Sequence, residues 1–547
     1  MFHQLVTPVA DSLPLSFLVA ALPIVTVLVM LGVLRRPAWQ SSLGGLVVGI
    51  AVAVLVWQFP VGLALDSVAA GAVFAIWPVM WIVFNALLLY NIAVVSGRFD
   101  AFRDWVLDHL PDDRRIVLVV IGFCFGCLLE GISGFGTPVA ITSALLILVG
   151  FAPLEALTFT LIFNTAPVAF GALGAPVTVL GQVTGLSPVT LGAMIGRQLP
   201  FMAMLLPFYV MALYGGMRSI RALWPVLLVS GGSFALGQFV SSNYLDYALT
   251  DVLSSLCSLI VTLGFLRVWS PAPAPEFAMH HAAAASAPAA RAVGADVVAL
   301  RERSTVPAWQ GWVPWILVSA VVIAWTHFKV FAVGQQTFQW PGLHNQVLIT
   351  LYDKPYAALY VFQPLATGTA ILLSAILTAA VVGVGPGRFL QCVVQTWRQS
   401  RIAILTVALI VGLAYLMNYS GLNYTLGKGV ASVGVLFPLL SPFLGWVAVF
   451  LSGSDTSGNA LFGNLQVVAA NQLGLNPVLI AATNSSGGVM GKMISPQNIA
   501  TGVSVTDLRG QEGVVLARTF KHSVALTLLL GILVVLQQYV MPWMIPG

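Results

Sequence analysis

The chain has 547 residues, of which 59% are hydrophobic and only 7% are charged, with a formal net charge of +5. A soluble domain carries about 25% charged residues, so this composition excludes a water-soluble globule and requires a lipid environment. Apolar runs recur along the whole length. At about 20 residues per crossing, they predict an all-α polytopic membrane protein with roughly 12–14 transmembrane or re-entrant helical segments.

The N-terminal apolar run, residues 13–34, is long enough to cross a bilayer. The residues before it carry no positive cluster, which predicts a retained first helix rather than a cleaved signal peptide. Further crossings are predicted at 43–59 and 68–95, and the last one at 524–541. Arginine and lysine collect in short loops, which are therefore predicted to be cytoplasmic, and this scheme places both termini outside.

Two cysteines in an apolar run, Cys124 and Cys127, have the CxxC spacing of redox and metal sites. No second Cys/His pair lies nearby, so small residues packing one helix face against a neighbour are the favoured interpretation. No metal site is predicted.

The first polar interruption reads Glu130-Gly-Ile-Ser-Gly-Phe-Gly-Thr-Pro138, and its motif region extends to residue 176. Broken backbone at membrane depth must line a cavity or be buried in protein, because its freed N–H and C=O groups find no water in lipid. Glu130 follows two leucines, and burial favours the neutral form of a carboxyl group. This pattern predicts that Glu130 gains and loses a coupling proton.

The segment 270–307 is rich in Ala and Pro and lacks a spanning apolar run. Its composition predicts an extended cytoplasmic linker rather than a packed element. The linker divides the chain into an N-terminal membrane half, 1–269, and a C-terminal membrane half, 308–547.

The second polar interruption occupies 453–498 and contains Gly453-Ser-Asp-Thr-Ser-Gly-Asn459, Asn484-Ser-Ser-Gly-Gly488 and Ser495-Pro-Gln-Asn498. Paired breaks in two halves of a membrane chain indicate the binding site of a secondary transporter. Asp455 is the second candidate for proton coupling. An equally weighted alternative is a carboxylate that remains ionised as a helix N-cap.

The two motifs share an order of features that predicts an inverted repeat. Each has an acidic residue beside glycines, then Gly-x-x-Pro, then an asparagine. Asn164 and Asn484 each precede a glycine by seven residues and a proline by twelve.

Thr137-Pro138 and Ser495-Pro496 predict helix starts, and the free N–H groups of such starts bind carboxylates or phosphates. Lys492 is the cation inside the second motif and is predicted to pair with a substrate carboxylate or with Asp455. Each hydroxyl or amide has the alternative role of an interhelical hydrogen bond. The residues predicted to bind a small hydroxylated anion are Ser133, Thr137, Asn164, Thr165, Ser454, Thr456, Asn484, Ser485, Ser486, Lys492, Ser495 and Gln497.

At these motifs the chain resembles the lactate permease family of bacterial transporters. The matching patterns are E-G-x-x-G-F-G-T-P-V-A at 130–140, G-S-D-T-S-x-N-A-L-F-G at 453–463, and N-S-S-G-G-V-x-G-K-M-I-S-P-Q at 484–497. The resemblance implies proton-coupled symport of lactate and related 2-hydroxymonocarboxylates such as glycolate across a bacterial inner membrane. It implies no cofactor besides the coupling proton and no nucleic-acid partner. Kinship with a wider ion-transporter superfamily implies two re-entrant hairpins in inverted repeats, often an elevator motion, and permits a homodimer.

Three alternatives remain at this point. A sodium-coupled carrier of mono- or dicarboxylates belongs to the same broad class and requires sodium dependence. A membrane-embedded enzyme requires a nucleophile–base pair or a metal cluster in the apolar segments, and the sequence reveals neither, so no enzyme activity is predicted. A passive channel differs from a carrier in that it does not accumulate substrate against a gradient.

Overall fold

A computed structural model describes residues 1–34, 36–132, 137–272, 274–278, 305–504, 506, 508 and 511–546. The helices of the first half are α1 Leu13–Gly32, α2 Ala38–Leu55, α3 Val61–Phe74, α4 Trp81–Val95, α5 Arg98–Asp108, α6 Arg114–Val117, α7 Gly126–Ile132, α8 Thr137–Leu148, α9 Pro153–Phe163, α10 Gly171–Thr184, α11 Pro188–Ile195, α12 Leu199–Val240 and α13 Thr250–Leu266. Those of the second half are α14 Val313–His327, α15 Thr367–Val381, α16 Pro386–Ser420, α17 Leu422–Val430, α18 Phe437–Ser452, α19 Asp455–Leu473, α20 Pro477–Lys492, α21 Pro496–Ser504 and α22 Glu512–Tyr539.

Within these described residues, ten helical segments are long and apolar enough to cross a membrane, or eleven if one bent pair counts as a span. Two shorter apolar helices, Pro138–Leu148 and Thr367–Val381, accompany them. The longest segment, Pro188–Leu245, has 58 residues and is broken at Gly216, so it is long enough for two crossings. The prediction of an all-α polytopic membrane protein is confirmed.

Short strands cover one face of the helical body. They are β1 Phe2–His3, β2 Gln336–Gln339, β3 Val347–Ile349, β4 Lys354–Pro355 and β5 Leu359–Phe362. The N-terminal strand β1 runs parallel to β3, which runs antiparallel to β4, while β2 and β5 form an antiparallel pair. The N-terminus is therefore fixed to a loop of the second half.

Both termini lie on that same face. The amide of Asn471, near the end of α19, donates to the Tyr352 hydroxyl beyond β3 at 3.3 Å. The following turn joins the C-terminal helix, because the backbone N–H of Asn476 donates to Gln538 Oε1 at 3.2 Å. The scheme from basic residues also places the termini on one side, and its assignment of that side as the outside stays a prediction.

The two halves of the chain share their apolar cores. One buried cluster includes Phe123 and Phe163 from the first half and Val489 from the second. The other includes Ala20 from the first half and Leu413 from the second. The halves therefore pack as one body, and the boundaries predicted at 269 and 308 divide the sequence rather than the core.

The predicted linker is described only at its two ends. At its start, a short turn at Pro275–Phe277 packs on the membrane body, where the Phe277 ring lies 4.4 Å from the Arg115 guanidinium carbon. The backbone carbonyl of Glu276 accepts a hydrogen bond from Arg114 Nη2 at 3.0 Å. Residues 279–304, the centre of the predicted linker, lie outside the described part of the chain.

Helix breaks occur in both motifs and position the candidate site. In the first half, α9 and the helical segment Val168–Thr184 meet at an angle of 62°, and Ala172, Leu173 and Gly174 adopt positive φ near the start of α10. In the second half, Gly453 ends α18 with φ +71° and α19 starts immediately beyond it. The next break separates α20 from α21.

The order of breaks and turns is the same in the two motifs, but the two asparagines do not match. Asn164 directly follows the last residue of α9, whereas Asn484 lies inside α20, eight residues before its last residue, Lys492. Equal spacing to later Gly and Pro residues therefore does not place the two asparagines at equal positions in their helices. The inverted repeat stays a prediction.

Candidate functional site

The centre of the site is a buried ion pair between the two halves of the chain. The Lys492 ammonium contacts Glu130 Oε1, and the two side chains are 7% and 2% exposed. The Asn164 amide donates to the other carboxylate oxygen, Glu130 Oε2, at 2.9 Å. The two motifs that the sequence singles out therefore meet at Glu130.

Each partner of this pair lies at a helix terminus created by the local sequence. Glu130 is near the end of α7, which is completely buried and continues a π-helical stretch, Leu118–Phe125. Lys492 is the last residue of α20, where the negative end of the helix dipole favours a cation by about 0.3–1 kcal/mol. Gly171 of α10 packs against this carboxylate, and a methyl group there would be in ordinary van der Waals contact with Glu130 Oε1 at 3.4 Å.

Asp455 forms a second buried carboxylate contact, with its own set of donors. Ser485 Oγ donates to Asp455 Oδ2 at 2.5 Å, and Asn459 Nδ2 donates to the same oxygen at 3.3 Å. The N-cap of α19 is Ser454, whose hydroxyl accepts from the Ser457 N–H at 3.3 Å. Of the two interpretations of Asp455, the helix cap is therefore wrong, because the neighbouring serine performs it.

Asn484 joins α20 to α19 by hydrogen bonds to residues near Asp455. Its amide donates to the Asn459 side chain at 3.0 Å and to the Gly458 carbonyl at 3.2 Å. Its own carbonyl accepts from Gln466 Nε2 at 3.3 Å. Asn459 also donates to the Pro176 carbonyl of α10 at 3.2 Å, so this amide network links both motifs.

A third buried carboxyl, Asp251 in the first turn of α13, completes the cluster and was missed from the sequence. Its side chain is fully buried and interacts electrostatically with both Glu130 and Lys492. Asp455 interacts electrostatically with Lys492 as well. The available signal was an acidic residue opening a long apolar run without Gly-rich or Pro-rich neighbours.

Two more of the predicted residues, Ser495 and Thr165, form hydrogen bonds at helix ends, and two others differ in exposure. Ser495 caps α21 by accepting from the Asn498 N–H at 3.2 Å, which confirms the predicted helix start at Ser495-Pro496. Thr165 donates to the Ile162 carbonyl at 2.8 Å, a local helix-end contact. Gln497 is exposed and Thr456 is half-buried.

Two residues of the first motif are described only in part. The backbone of α8 starts at Thr137, as predicted from Thr137-Pro138, but the structure does not describe the side chain of Thr137. Ser133 lies outside the described residues.

Ser486 belongs to a separate network on another side of α20. Its hydroxyl donates to Gln198 Oε1 at 2.7 Å, and Gln198 donates to Thr483 Oγ1 at 2.9 Å and to Gln537 Oε1 at 3.3 Å. Gln198 lies in the turn that separates α11 from α12, and Gln537 lies inside α22. Neither residue was predicted from the sequence, because both lie outside the two motifs. The network joins α20 to the start of α12 and to α22.

The cysteines pack as helix-interface residues. Cys124 and Cys127 are free and buried. Cys124 Sγ lies 3.2 Å from Ser258 Oγ of α13, and Cys127 Sγ donates to the Phe163 carbonyl of α9 at 3.8 Å. The packing interpretation of the CxxC spacing is confirmed.

The arrangement has the chemistry of an anion site occupied by a residue of the protein. Glu130 presents a carboxylate to an ammonium and an amide donor, which are the groups that recognise a small carboxylate. Breaking such a buried pair by removing one partner is costly, about 3–5 kcal/mol, so a substitute anion at Lys492 must supply an equivalent contact.

Comparison with known proteins identifies the family. The family model described as L-lactate permease matches residues 16–541. The chain is 42% identical to glycolate permease GlcA of Escherichia coli strain K12, covering 97% of each chain. It is 40% identical to the L-lactate permease of Salmonella typhimurium, covering 98% of each chain, and to that of Bacillus subtilis strain 168, covering 99% of each.

A solved structure of Neisseria gonorrhoeae MtrF aligns with a TM-score of 0.45 at 14% identity, over 87% of this chain and 83% of that one. The family match and the apolar helices make the chain a multi-pass protein of the bacterial inner membrane. The chain belongs to the L-lactate permease family.

Proposed function

We propose that this family member is a proton-coupled symporter of lactate and related 2-hydroxymonocarboxylates such as glycolate. The observation that carries the proposal is the buried Glu130–Lys492 pair at the junction of the two broken motifs. Relatives named for L-lactate and for glycolate support the substrate class, since both names denote small 2-hydroxy acids.

Substrate and proton binding are linked through the exchange of partners at Lys492. A substrate carboxylate that contacts the Lys492 ammonium displaces Glu130 from its cation. An unpaired carboxylate in this buried environment is costly, so Glu130 binds a proton as the substrate binds. The proton and the anion then cross together, and the site returns to its paired state after both are released.

The 2-hydroxyl of the substrate has an acceptor at hand. Asn164 uses its amide nitrogen on Glu130, while its carbonyl oxygen is buried and has no hydrogen-bond partner among the described residues. A hydroxyl donating to this oxygen satisfies a group that otherwise remains unpaired. Lactate and glycolate both carry such a hydroxyl, whereas acetate does not.

Asp455 is the second coupling candidate of this proposal. It shares the electrostatic environment of Lys492 but keeps donors of its own, Ser485 and Asn459. Loss of its charge is therefore expected to change coupling without releasing Lys492 from Glu130.

Uptake of labelled lactate into proteoliposomes with an imposed pH gradient tests the coupling. In Glu130→Gln and in Asp455→Asn, we expect gradient-driven accumulation to be lost while exchange of labelled for unlabelled lactate continues. Asp353→Asn, which changes an exposed carboxylate in the strand-bearing loop, is the matched control and is expected to behave like the unmodified protein. Unchanged accumulation in both site variants refutes the coupling role.

The same vesicles separate the alternatives. Accumulation driven by a sodium gradient at equal pH on both sides supports a sodium-coupled carrier of mono- or dicarboxylates instead. Equilibration without accumulation under either gradient supports a passive channel.

We include in the proposal that the protein needs no cofactor beyond the proton and catalyses no reaction. A homodimer stays a prediction, which the mass of the detergent-solubilised protein tests.

A further inference from the structure

Asp251 is a buried carboxyl that lies outside both motifs and has no part in the exchange of carboxylates at Lys492. Its side chain is fully buried in the first turn of α13. Its carboxyl packs on the backbone of the first motif, because a methyl group on Gly131 would lie 2.9 Å from Asp251 Oδ2. Gly131 is the residue next to Glu130, so the carboxyls of Asp251 and Glu130 flank the same break.

We propose that Asp251 is a second proton-binding carboxyl of the transport site, neutral in the state described here, which passes its proton to Glu130 when substrate binds. This inference rests on the proposed proton-coupled function and adds a residue to it. During the transfer the Asp251 O–H bond breaks as an O–H bond forms on Glu130, and Asp251 then takes a replacement proton from the side at which the substrate enters. One proton therefore enters with each substrate anion, and Asp251 returns to its neutral form.

The balance of charges in the cluster requires a neutral carboxyl. Three buried acids, Glu130, Asp251 and Asp455, surround Lys492, which among the described residues is the basic group placed with them. Elsewhere in the described chain, the buried arginines Arg103 and Arg115 pair with aspartates of α5 and of the turn before α6.

Ionisation of all three carboxyls, with Lys492 as their cation, therefore leaves two uncompensated negative charges inside the membrane body before any substrate anion arrives. Even one uncompensated buried charge costs several kcal/mol. At least one of the three carboxyls must carry a proton.

Hydrogen bonds identify Asp251 as that carboxyl. Glu130 has the Lys492 ammonium and the Asn164 amide, and Asp455 has a hydroxyl donor at 2.5 Å. Asp251 has the Ser255 hydroxyl at 3.4 Å on Oδ1. Its Oδ2 and Asp455 Oδ1 both lack a hydrogen-bond partner among the described residues, but Asp455 Oδ2 has two donors, Ser485 and Asn459. An ionised carboxylate has about four acceptor positions to satisfy, so the least solvated of the three favours the neutral form.

The groups packed around Asp251 do not reverse this conclusion. On neighbouring segments it interacts with Glu130 and Cys127 of α7 and with Lys492 of α20, and Asp246 and Tyr247 precede it by five and four residues. Thiols and phenols are neutral at pH 7, and the other carboxylates oppose a second negative charge. The N-terminal dipole of α13 favours an anion by about 0.3–1 kcal/mol, which is smaller than the cost of an unpaired buried charge.

Asp251→Asn tests the role, because Asn has nearly the shape of a neutral Asp but cannot release a proton. We expect this variant to retain lactate exchange within about two-fold and to lose at least about ten-fold in accumulation driven by a pH gradient, a change of about 1.4 kcal/mol or more. Accumulation equal to that of the unmodified protein overturns the proposal, and so does loss of exchange together with accumulation, which indicates a structural role. Asp246→Asn, five residues earlier, is the matched control and is expected to retain both activities.

A second variant keeps the proposal testable if Asp251→Asn does not fold. Asp251→Glu retains an ionisable group at a changed distance from Gly131, and we expect it to accumulate lactate with an altered pH profile. An unaltered profile overturns the role of Asp251. Failure of the unmodified protein to respond to a pH gradient refutes the proposed coupling as a whole, which separates the two claims.

Discussion

Lys492, the last residue of α20, pairs with Glu130 across 362 positions of sequence. Both side chains are buried, and their partners extend the contact into α9 through Asn164 and, electrostatically, to Asp455 and Asp251. A pair in this location joins the two halves of the chain at the point where each is broken. In the proposed transport cycle, separation of Lys492 from Glu130 therefore alters the packing between the two halves as well as the local charge.

Neutralising both members of the pair is expected to be less harmful to stability than neutralising one. Lys492→Met and Glu130→Gln each leave a buried charge without its partner, at a cost of about 3–5 kcal/mol. The double variant leaves neither charge. We expect thermal unfolding in detergent to occur at a higher temperature for the double variant than for either single variant.

Lys428→Met is the matched control for this series, because Lys428 is exposed near the end of α17. It is expected to unfold like the unmodified protein. If the double variant loses as much stability as the two single variants together, the two charges do not interact as the structure places them.

The adjacent serines of α20 provide a test of which side of this helix faces the coupling site. Ser485 donates to Asp455, whereas Ser486 donates to Gln198 in the separate amide network. A hydrogen bond to a charged group contributes about 1.5–3 kcal/mol, so Ser485→Ala is expected to shift the pH profile of lactate uptake. Ser486→Ala is expected to leave that profile unchanged and to lower the unfolding temperature instead. Identical pH profiles for the two variants contradict the assignment.

The sequence predicted the residues of the site whose chemistry is visible locally. Glu130 and Lys492 stand out because each is a charge beside glycines in an apolar context. Their pairing was not predicted, since the alternatives for Lys492 were a substrate and Asp455. No local pattern distinguishes between partners hundreds of residues away, because packing of the two halves decides it.

Asp251 and Gln198 show why the rest of the site required a structure. Asp251 lies in the first turn of α13 and Gln198 lies in the turn before α12, and both are outside the two motifs. They reach their partners through contacts of α13 with α7 and of the start of α12 with α20. The spacing from Asn164 and Asn484 to later Gly and Pro residues illustrates the opposite error. Equal intervals suggested equivalent positions, but one asparagine ends a helix and the other lies within one.

Asn164 is expected to determine affinity for the hydroxylated substrate. Asn164→Ala removes the donor to Glu130 and the proposed acceptor for the 2-hydroxyl. We expect the KM for lactate to rise by up to about 10-fold, since a hydrogen bond between neutral groups contributes about 0.5–1.5 kcal/mol. Inhibition of lactate uptake by glycolate should weaken in parallel, and the weak inhibition expected from acetate should change little. An equal loss for glycolate and acetate indicates that Asn164 does not contact the hydroxyl.

Gly445 of α18 is expected to set how closely α18 packs on α20 of the second motif, independently of any charge. A methyl group on Gly445 of α18 would overlap the Asn484 carbonyl oxygen of α20, and backbone there cannot move aside easily. Gly445→Ala should therefore lower the unfolding temperature and reduce lactate exchange, because a shift of α20 displaces Lys492 as well.

Gly264→Ala in α13 is the control, since a methyl group there meets no atom within 4 Å. Alanine favours a helix by about 0.8–1.0 kcal/mol over glycine, so the control should be as stable as the unmodified protein or more so. Equal effects of the two substitutions contradict close packing of α18 on α20.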